Sequence, residues 1–109
     1  MSTFINPLTN HQIDPKFLNK YDKALPFYLA ESKKNNPEGF LGLGALNEYG
    51  LGIPQSYEKA IENYRKAAEL NHPEGYFKLA LFSLEGKGMS RSDKQAKEWL
   101  SKAIDLKHP

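Results

Sequence analysis

A single pattern of small, apolar and turn residues occurs twice in this 109-residue chain, with a constant offset of 36 positions between the copies. The copies begin at Pro37 and Pro73, and each holds two helical patterns joined by a glycine-containing turn, at 50–52 and 86–88. A fixed period of this length is typical of stacked helical repeats, because one helix pair cannot bury its apolar face alone. The sequence therefore predicts an all-α fold in which the copies stack on each other.

The offset divides a single predicted domain, 1–109, into four parts. The segment 21–36 matches only the second helix of a unit, so it is a half repeat, and the full repeats are 37–72 and 73–108. Residues 1–20 hold scattered apolar side chains without a sustained helical or strand period, and we expect an irregular N-terminal cap there. The chain thus holds about two and a half repeats.

Capping residues and prolines predict where the helices begin. The Asn36-Pro37 pair is a strong start, because asparagine accepts a free amide hydrogen of the first turn and proline fits the first helical position. The Asp14-Pro15 pair could open a short helix within the cap for the same reason. Pro26 conflicts with a long helix in the half repeat, so that helix must begin late, near Asp22, or bend.

Composition and charge exclude several classes of function. Hydrophobic residues make up 39% and charged residues 26%, as in an ordinary folded domain. The formal charge is only +2, with Lys and Glu interspersed, so no nucleic-acid partner is expected. Without cysteine there is no disulfide or thiolate metal site, and no run approaches the roughly 20 apolar residues of a membrane span. Residues 1–20 do not resemble a secretory signal, so the cytoplasm is the simplest expected location, with a removed leader as the alternative.

No pattern in the chain predicts catalytic residues, a metal site or a cofactor. The glycine turns at 50–52 and 86–88 end helices, whereas phosphate-binding glycine loops open a helix after a strand. His11, His72 and His108 come from separate places without acidic partners at helical spacing, so we expect no metal site. His72 and His108 fit helix caps or surface positions better. The serines lack an adjacent His and carboxylate in a recognisable order.

The two units resemble the Sel-one-like repeat (SLR), a relative of the tetratricopeptide repeat with a longer turn between its helices. The likeness covers about Tyr21 to His108 and implies a short right-handed α/α superhelix. Asn47, Asn63 and Ser83 depart from the aromatic positions of the pattern, and we expect them to remove packing volume near the helix crossings. The matching residues are Gly39, Leu43, Gly44, Gly50, Gly52, Ile53, Lys59, Ala60, Tyr64, Lys66, Ala67 and Ala68 in the first unit, and Gly75, Leu79, Ala80, Gly86, Gly88, Met89, Ala96, Trp99, Lys102 and Ala103 in the second.

The resemblance also implies a binding face, because the first helix of each unit lines the concave side of such stacks. Apolar centres with Glu at the rim suit a partner segment that is amphipathic, somewhat basic, and helical or extended. We expect Glu48 and Tyr49 to be exposed, whereas Phe77, Leu81 and Leu84 fit either the core or the groove. The predicted partner-binding residues are Glu38, Leu41, Ala45, Glu48 and Tyr49 in the first unit, and Glu74, Phe77, Leu81, Leu84 and Glu85 in the second.

One principal hypothesis about function and two alternatives follow. The resemblance implies a non-catalytic protein–protein interaction module, a scaffold or adaptor of the kind often found in bacterial signalling, host interaction or toxin neutralisation. Its partner would be a protein or peptide, and no cofactor is expected. The first alternative is a structural self-association unit or a fragment of a longer repeat protein, because no third unit follows to cover Trp99, Leu100 or Ile104 on the last helix. The second, an enzyme, would need a pocket of convergent titratable groups that the sequence does not show.

Overall fold

The computed structural model describes residues 4–5, 12–13 and 23–107. The two short segments are strands β1 (Phe4–Ile5) and β2 (Gln12–Ile13), which pair antiparallel. The short helix predicted at Asp14-Pro15, and most of the predicted cap, lie outside the described residues. The range 23–107 holds five helices, namely α1 (Ala24–Lys33), α2 (Pro37–Tyr49), α3 (Tyr57–Glu69), α4 (Pro73–Glu85) and α5 (Asp93–Lys107).

The described helices form a stack of hairpins in which each helix packs against the next one along the chain. Helix α1 corresponds to the second helix of the half repeat. The first full unit consists of α2 and α3, and the second consists of α4 and α5. This arrangement is the all-α helical solenoid that the repeat predicts.

The ends of the first helices follow the local sequence closely. The Asn36 side chain accepts a hydrogen bond from the Glu38 amide at 3.1 Å, and the His72 ring accepts one from the Glu74 amide at 3.1 Å. His72 is therefore a helix cap, as the sequence predicts. Gly50, which ends α2, has φ 65°, in the left-handed region that glycine adopts without steric cost.

Helix α1 accommodates its proline by beginning late. It starts at Ala24, so Pro26 lies in the first turn, where its missing amide hydrogen would have no helical partner in any case. The prediction of a late start near Asp22 is confirmed, and the helix does not need to bend.

The core lies between the two full units. The rings of Tyr57 and Tyr64 on α3 both meet Phe82 of α4 edge-on, with ring centres 5.7 Å apart in each pair. A Cβ added to Gly75 of α4 would lie 2.5 Å from the Ala68 amide nitrogen. Glycine at this position therefore lets the α4 backbone approach α3 closely.

The residues that depart from the aromatic pattern of the repeat form side-chain hydrogen bonds. Asn63 of α3 donates a hydrogen bond of 2.8 Å from its side-chain amide to the side-chain oxygen of Asn47 on α2. The Ser83 hydroxyl donates one of 2.8 Å to the carbonyl oxygen of Ser92. Asn47 and Ser83 are both buried, so the expected loss of packing volume is accompanied by polar links that tie each first helix to its own unit.

Candidate partner-binding surface

The first helices, α2 and α4, are joined by a contact at their N-terminal ends and come near each other at their C-terminal ends. At the N-terminal ends, the Nε2 atom of His72 lies 2.7 Å from Oε1 of Glu38. Because the Nδ1 atom accepts from the Glu74 amide, Nε2 carries the ring hydrogen and donates it to Glu38. This contact joins residues 34 positions apart and brings the N-terminal ends of α2 and α4 together.

At the C-terminal ends, Tyr49 of α2 comes near Glu85, the last residue of α4, and near Lys87, which follows that helix. The negative charge of Glu48 and then partial burial raise the pKa of the Tyr49 phenol. Lys87 and Glu85 are near enough to act on the phenol in opposite directions. The Lys87 ammonium is itself paired with the Glu85 carboxylate at 3.1 Å, so these two opposite charges largely cancel each other.

Most of the predicted partner-binding residues reach solvent. Tyr49 is 44% exposed, as predicted. Phe77 and Leu84, which fit either the core or the groove, are 41% and 38% exposed and therefore lie at the surface. Glu38 and Glu85 are also exposed, and the half-buried members of the set are Leu41, Ala45, Glu74 and Leu81.

The predicted exposure of Glu48 is wrong. Its side chain is only 8% exposed, and Oε1 accepts a hydrogen bond of 2.7 Å from the Tyr64 hydroxyl. Burial, together with the hydrogen bond to Glu48 and the charge of that carboxylate, raises the pKa of the Tyr64 phenol. The phenol therefore stays protonated and remains a donor to the carboxylate. Glu48 faces α3, not the partner surface, because the buried hydroxyl at Tyr64 needs an acceptor.

Two of the predicted residues line a groove between α4 and α5. Glu74 and Phe77 lie on the α4 side, and the groove encloses about 330 Å³. The α5 side carries Leu100 and Ile104, which the sequence predicts to be partly uncovered. Leu100 is half-buried and Ile104 is exposed. The groove lining is Pro73, Glu74, Phe77, Leu100, Ala103, Ile104 and Lys107.

Trp99, the third residue predicted to be uncovered, is half-buried. Its ring packs against the core cluster around Tyr64 and Phe82, and the Arg65 guanidinium lies 5.9 Å from the ring centre. Trp99 therefore contributes more to the core than to an exposed face of α5.

A second feature, which the sequence reasoning missed, repeats with the same offset of 36. The Lys66 ammonium lies 5.6 Å from the Phe40 ring centre, and the Lys102 ammonium lies 5.5 Å from that of Tyr76. Each pair borders a shallow cleft, of about 240 Å³ in the first unit and 200 Å³ in the second. Comparing the two units position by position would have found these pairs, because both the lysine and the aromatic residue recur.

The part of the chain that the structure describes contains no group of three or more His, Asp or Glu side chains placed to hold a metal ion. None of its helices has the length and apolar character needed to cross a membrane.

Comparison with known proteins identifies the family. The Sel1 repeat model matches residues 40–72 and again residues 73–108. A Sel1 repeat protein from Oxalobacter formigenes has 26% identity and a TM-score of 0.73, over 77% of this chain and 34% of that one. A protective antigen of uropathogenic Escherichia coli strains, with an SLR fold, has 28% identity and a TM-score of 0.74, over 78% of this chain and 18% of that one. This chain thus spans well under two thirds of either relative, and no curated protein sequence matches it. The chain belongs to the Sel1 repeat family, whose members are generally non-catalytic helical scaffolds for protein interactions.

Proposed function

We propose that the chain is a non-catalytic interaction module that binds a segment of a partner protein along α2 and α4. The main support is the exposure of Tyr49, Phe77 and Leu84, because large side chains of this kind serve as anchors at protein interfaces. The general role of Sel1 repeats in protein interactions agrees with this assignment. A scaffold or adaptor role follows, since the surface offers contacts without reacting groups.

Charge favours a partner segment with basic residues at its edges. Glu38 and Glu85 are exposed at opposite ends of the surface, and Glu74 is half-buried near the first of them. Glu48 is not part of this acidic rim, because its carboxylate is buried against Tyr64. A basic side chain of the partner would compete with Lys87 for Glu85 at an exposed position, where ion pairs are worth at most about 1 kcal/mol. Affinity would therefore come mainly from the apolar anchors.

The two helices are held in place before a partner arrives. The hydrogen bonds of Asn47 and Ser83 tie each helix to its own unit, and the exposed Glu38–His72 contact adds a weaker link between the N-terminal ends of the two helices. A preorganised surface loses less conformational entropy on binding than a flexible one. We therefore expect α2 and α4 to bind without rearrangement.

The test is to capture partners from the native cell extract and to compare variants of the bait. Tyr49→Ala and Leu84→Ala remove the two anchors that lie away from the α4–α5 groove. Leu70→Ala is the matched control, because Leu70 is equally exposed but follows α3. With a purified partner, each anchor variant should weaken binding by about tenfold, or about 1.4 kcal/mol, while the control leaves it unchanged. If all three variants bind as the unmodified protein does, this surface is the wrong one.

Self-association through α5 is a second candidate function. It is favoured by the exposure of Ile104 beside Phe77 and Leu100 in the α4–α5 groove, since exposed apolar side chains are unusual on a monomer when they cluster. Light scattering across a wide concentration range tests it directly. A mass that rises with concentration and returns to the monomer value in Ile104→Lys would support it, and a constant monomer mass would exclude it.

A further inference from the structure

The groove between α4 and α5 has an equivalent surface in the first full unit, between α2 and α3, and there α4 covers it. Each of the seven lining residues has an equivalent 36 positions earlier, and six of these equivalents lie on α2 and α3. In that earlier unit the same surface is packed against α4. The equivalent pairs are Pro37 with Pro73, Glu38 with Glu74, Leu41 with Phe77, Tyr64 with Leu100, Ala67 with Ala103, Ala68 with Ile104, and Asn71 with Lys107.

At three of these positions the residue of the earlier unit is more buried than its equivalent in the groove, whereas Ala67 and Ala103 are both buried. Ala68 is 2% exposed, whereas its equivalent Ile104 is 60% exposed. Leu41 packs against the core cluster, whereas its equivalent Phe77 is exposed. No described helix follows α5 to cover the groove as α4 covers the earlier unit. The groove therefore continues the stacking interface that joins the repeats inside the chain.

The two filled junctions of the stack show what kind of element fits such a surface. In the first, a Cβ added to Gly39 of α2 would lie 2.5 Å from the Ser32 amide nitrogen of α1. In the second, a Cβ added to Gly75 would lie 2.5 Å from the Ala68 nitrogen and 2.8 Å from the Tyr64 carbonyl oxygen. Both occupants are α-helices that place a glycine directly on the backbone of the preceding helix.

The groove differs from the earlier junctions in a way that restricts its occupant. Ile104 has a branched side chain where Ser32 and Ala68 are small. In the filled junction, Leu79 lies one helical turn after Gly75 and belongs to the same buried cluster as Ala68. We therefore expect a helix in the groove to carry a small residue at the position of Leu79, so that the larger Ile104 side chain has room beside it.

Two charged residues line the groove, Glu74 on α4 and Lys107 on α5, and Lys107 bears on the orientation of the occupant. Lys107 lies at the rim of the groove, at the C-terminal end of α5. In the filled junction, the first turn of α4, with its acidic residue Glu74, follows directly after the end of α3. An acidic residue in the first turn of the bound helix would approach Lys107. It would also interact favourably with the positive end of the dipole of its own helix.

We infer that the α4–α5 groove binds an amphipathic α-helix of a partner protein. This helix carries small residues four positions apart, facing Leu100 and Ile104, and an acidic residue in its first turn beside Lys107. The groove shares Glu74 and Phe77 with the proposed α2–α4 surface but does not include the anchors Tyr49 and Leu84. Tyr49→Ala and Leu84→Ala therefore distinguish the two sites.

A peptide derived from the chain itself tests this inference. The probe has the sequence of residues 71–87 with Leu79→Ala, a fluorophore at one end and a lactam bridge on its solvent-facing side, so that it is helical when free. It keeps Glu74 and Gly75 in the positions that the filled junction uses. Two comparison peptides retain Leu79 or carry Gly75→Leu, and binding to the full chain is followed by fluorescence anisotropy.

The unmodified protein and the Ile104→Ala protein should have opposite preferences for the peptides that carry alanine or leucine at position 79. The unmodified protein should bind the Leu79→Ala peptide at least about tenfold more tightly than the peptide that retains Leu79, and should not bind the Gly75→Leu peptide. The Ile104→Ala protein should instead prefer the peptide that retains Leu79, because the removed side chain leaves room for leucine. Ile104→Lys should abolish binding, and Leu70→Ala should not change it.

Three results would overturn the inference. One is the absence of saturable binding by every peptide whose helicity has been verified by circular dichroism. Another is equal binding of all three peptides, including Gly75→Leu, which would show that the groove does not select for close helix approach. The third is a dimer of this chain in light scattering that Ile104→Lys dissociates, which would assign the groove to a second copy.

Discussion

The hydroxyl of Tyr64 on α3 donates a hydrogen bond of 2.7 Å to the buried carboxylate of Glu48 on α2. Beside it, Asn63 and Asn47 form a second link between the same helices, at 2.8 Å. Both links join residues 16 positions apart, so they fix the register of the α2–α3 hairpin. A buried carboxylate needs such hydrogen-bond donors, because burial removes its hydration and an unpaired charge would not be compensated for that loss.

Removal of the Tyr64 hydroxyl should destabilise the fold. Tyr64→Phe keeps the ring against Phe82 but leaves the Glu48 carboxylate without its donor, so the free energy of unfolding should fall by about 1.5–3 kcal/mol. Urea denaturation followed by circular dichroism measures the change. In the Glu48→Gln background the same substitution should cost less, since no charge remains to be compensated. Equal costs in both backgrounds would contradict a charge-assisted bond.

Alkaline pH should weaken the fold through the same phenol. Burial and Glu48 raise the pKa of Tyr64 above the ordinary value of 10.0, so the folded state holds this proton where the unfolded state releases it. The resulting stability is complete below pH 10 and declines as pH rises above it. Denaturation at a series of pH values checks this decline, which should be smaller in Tyr64→Phe. A stability that rises above pH 10 would refute it.

The close approach of α4 to α3 should make Gly75 intolerant of a side chain. Gly75→Ala places a Cβ against backbone atoms of Tyr64 and Ala68 that cannot rotate away, and overpacking of this kind costs about 1–3 kcal/mol. Gly42→Ala is the comparison on α2, because the atoms nearest to its added methyl belong to the Tyr28 side chain, which can change rotamer where backbone atoms cannot. Thermal unfolding should show the larger loss for Gly75→Ala. Similar losses at both positions would argue against backbone contact as the cause.

The His72 ring should stabilise α4 mainly as a cap. His72→Ala removes the acceptor for the Glu74 amide and should cost about 1 kcal/mol. His72→Asn supplies the residue found at the equivalent position 36, where it accepts from the Glu38 amide, and should recover most of that loss. The partner of the Nε2 atom, Glu38, is exposed, so that contact should add little. A large loss in His72→Asn by thermal unfolding would instead assign the main role to Glu38.

The order of the helices and their ends could be predicted from the sequence, because these features depend on neighbouring residues. Asn36 caps a helix that begins at the next residue, and Gly50 ends it through its own backbone conformation. Pro26 is likewise accommodated by a local shift in where α1 begins. The offset of 36 positions then implies stacking, since every unit presents the same apolar faces.

The exposure of individual side chains was decided only by the tertiary structure, because it depends on which helix covers them. Glu48 is buried because Tyr64, 16 positions later, offers its hydroxyl. Leu41 and Phe77 occupy the same position of the repeat, yet only Leu41 packs against the core. The sequence by itself determined the repeat, the helix ends and the family. The candidate surface and the groove became visible only in the packed chain, since residues distant in sequence determine what remains accessible to a partner.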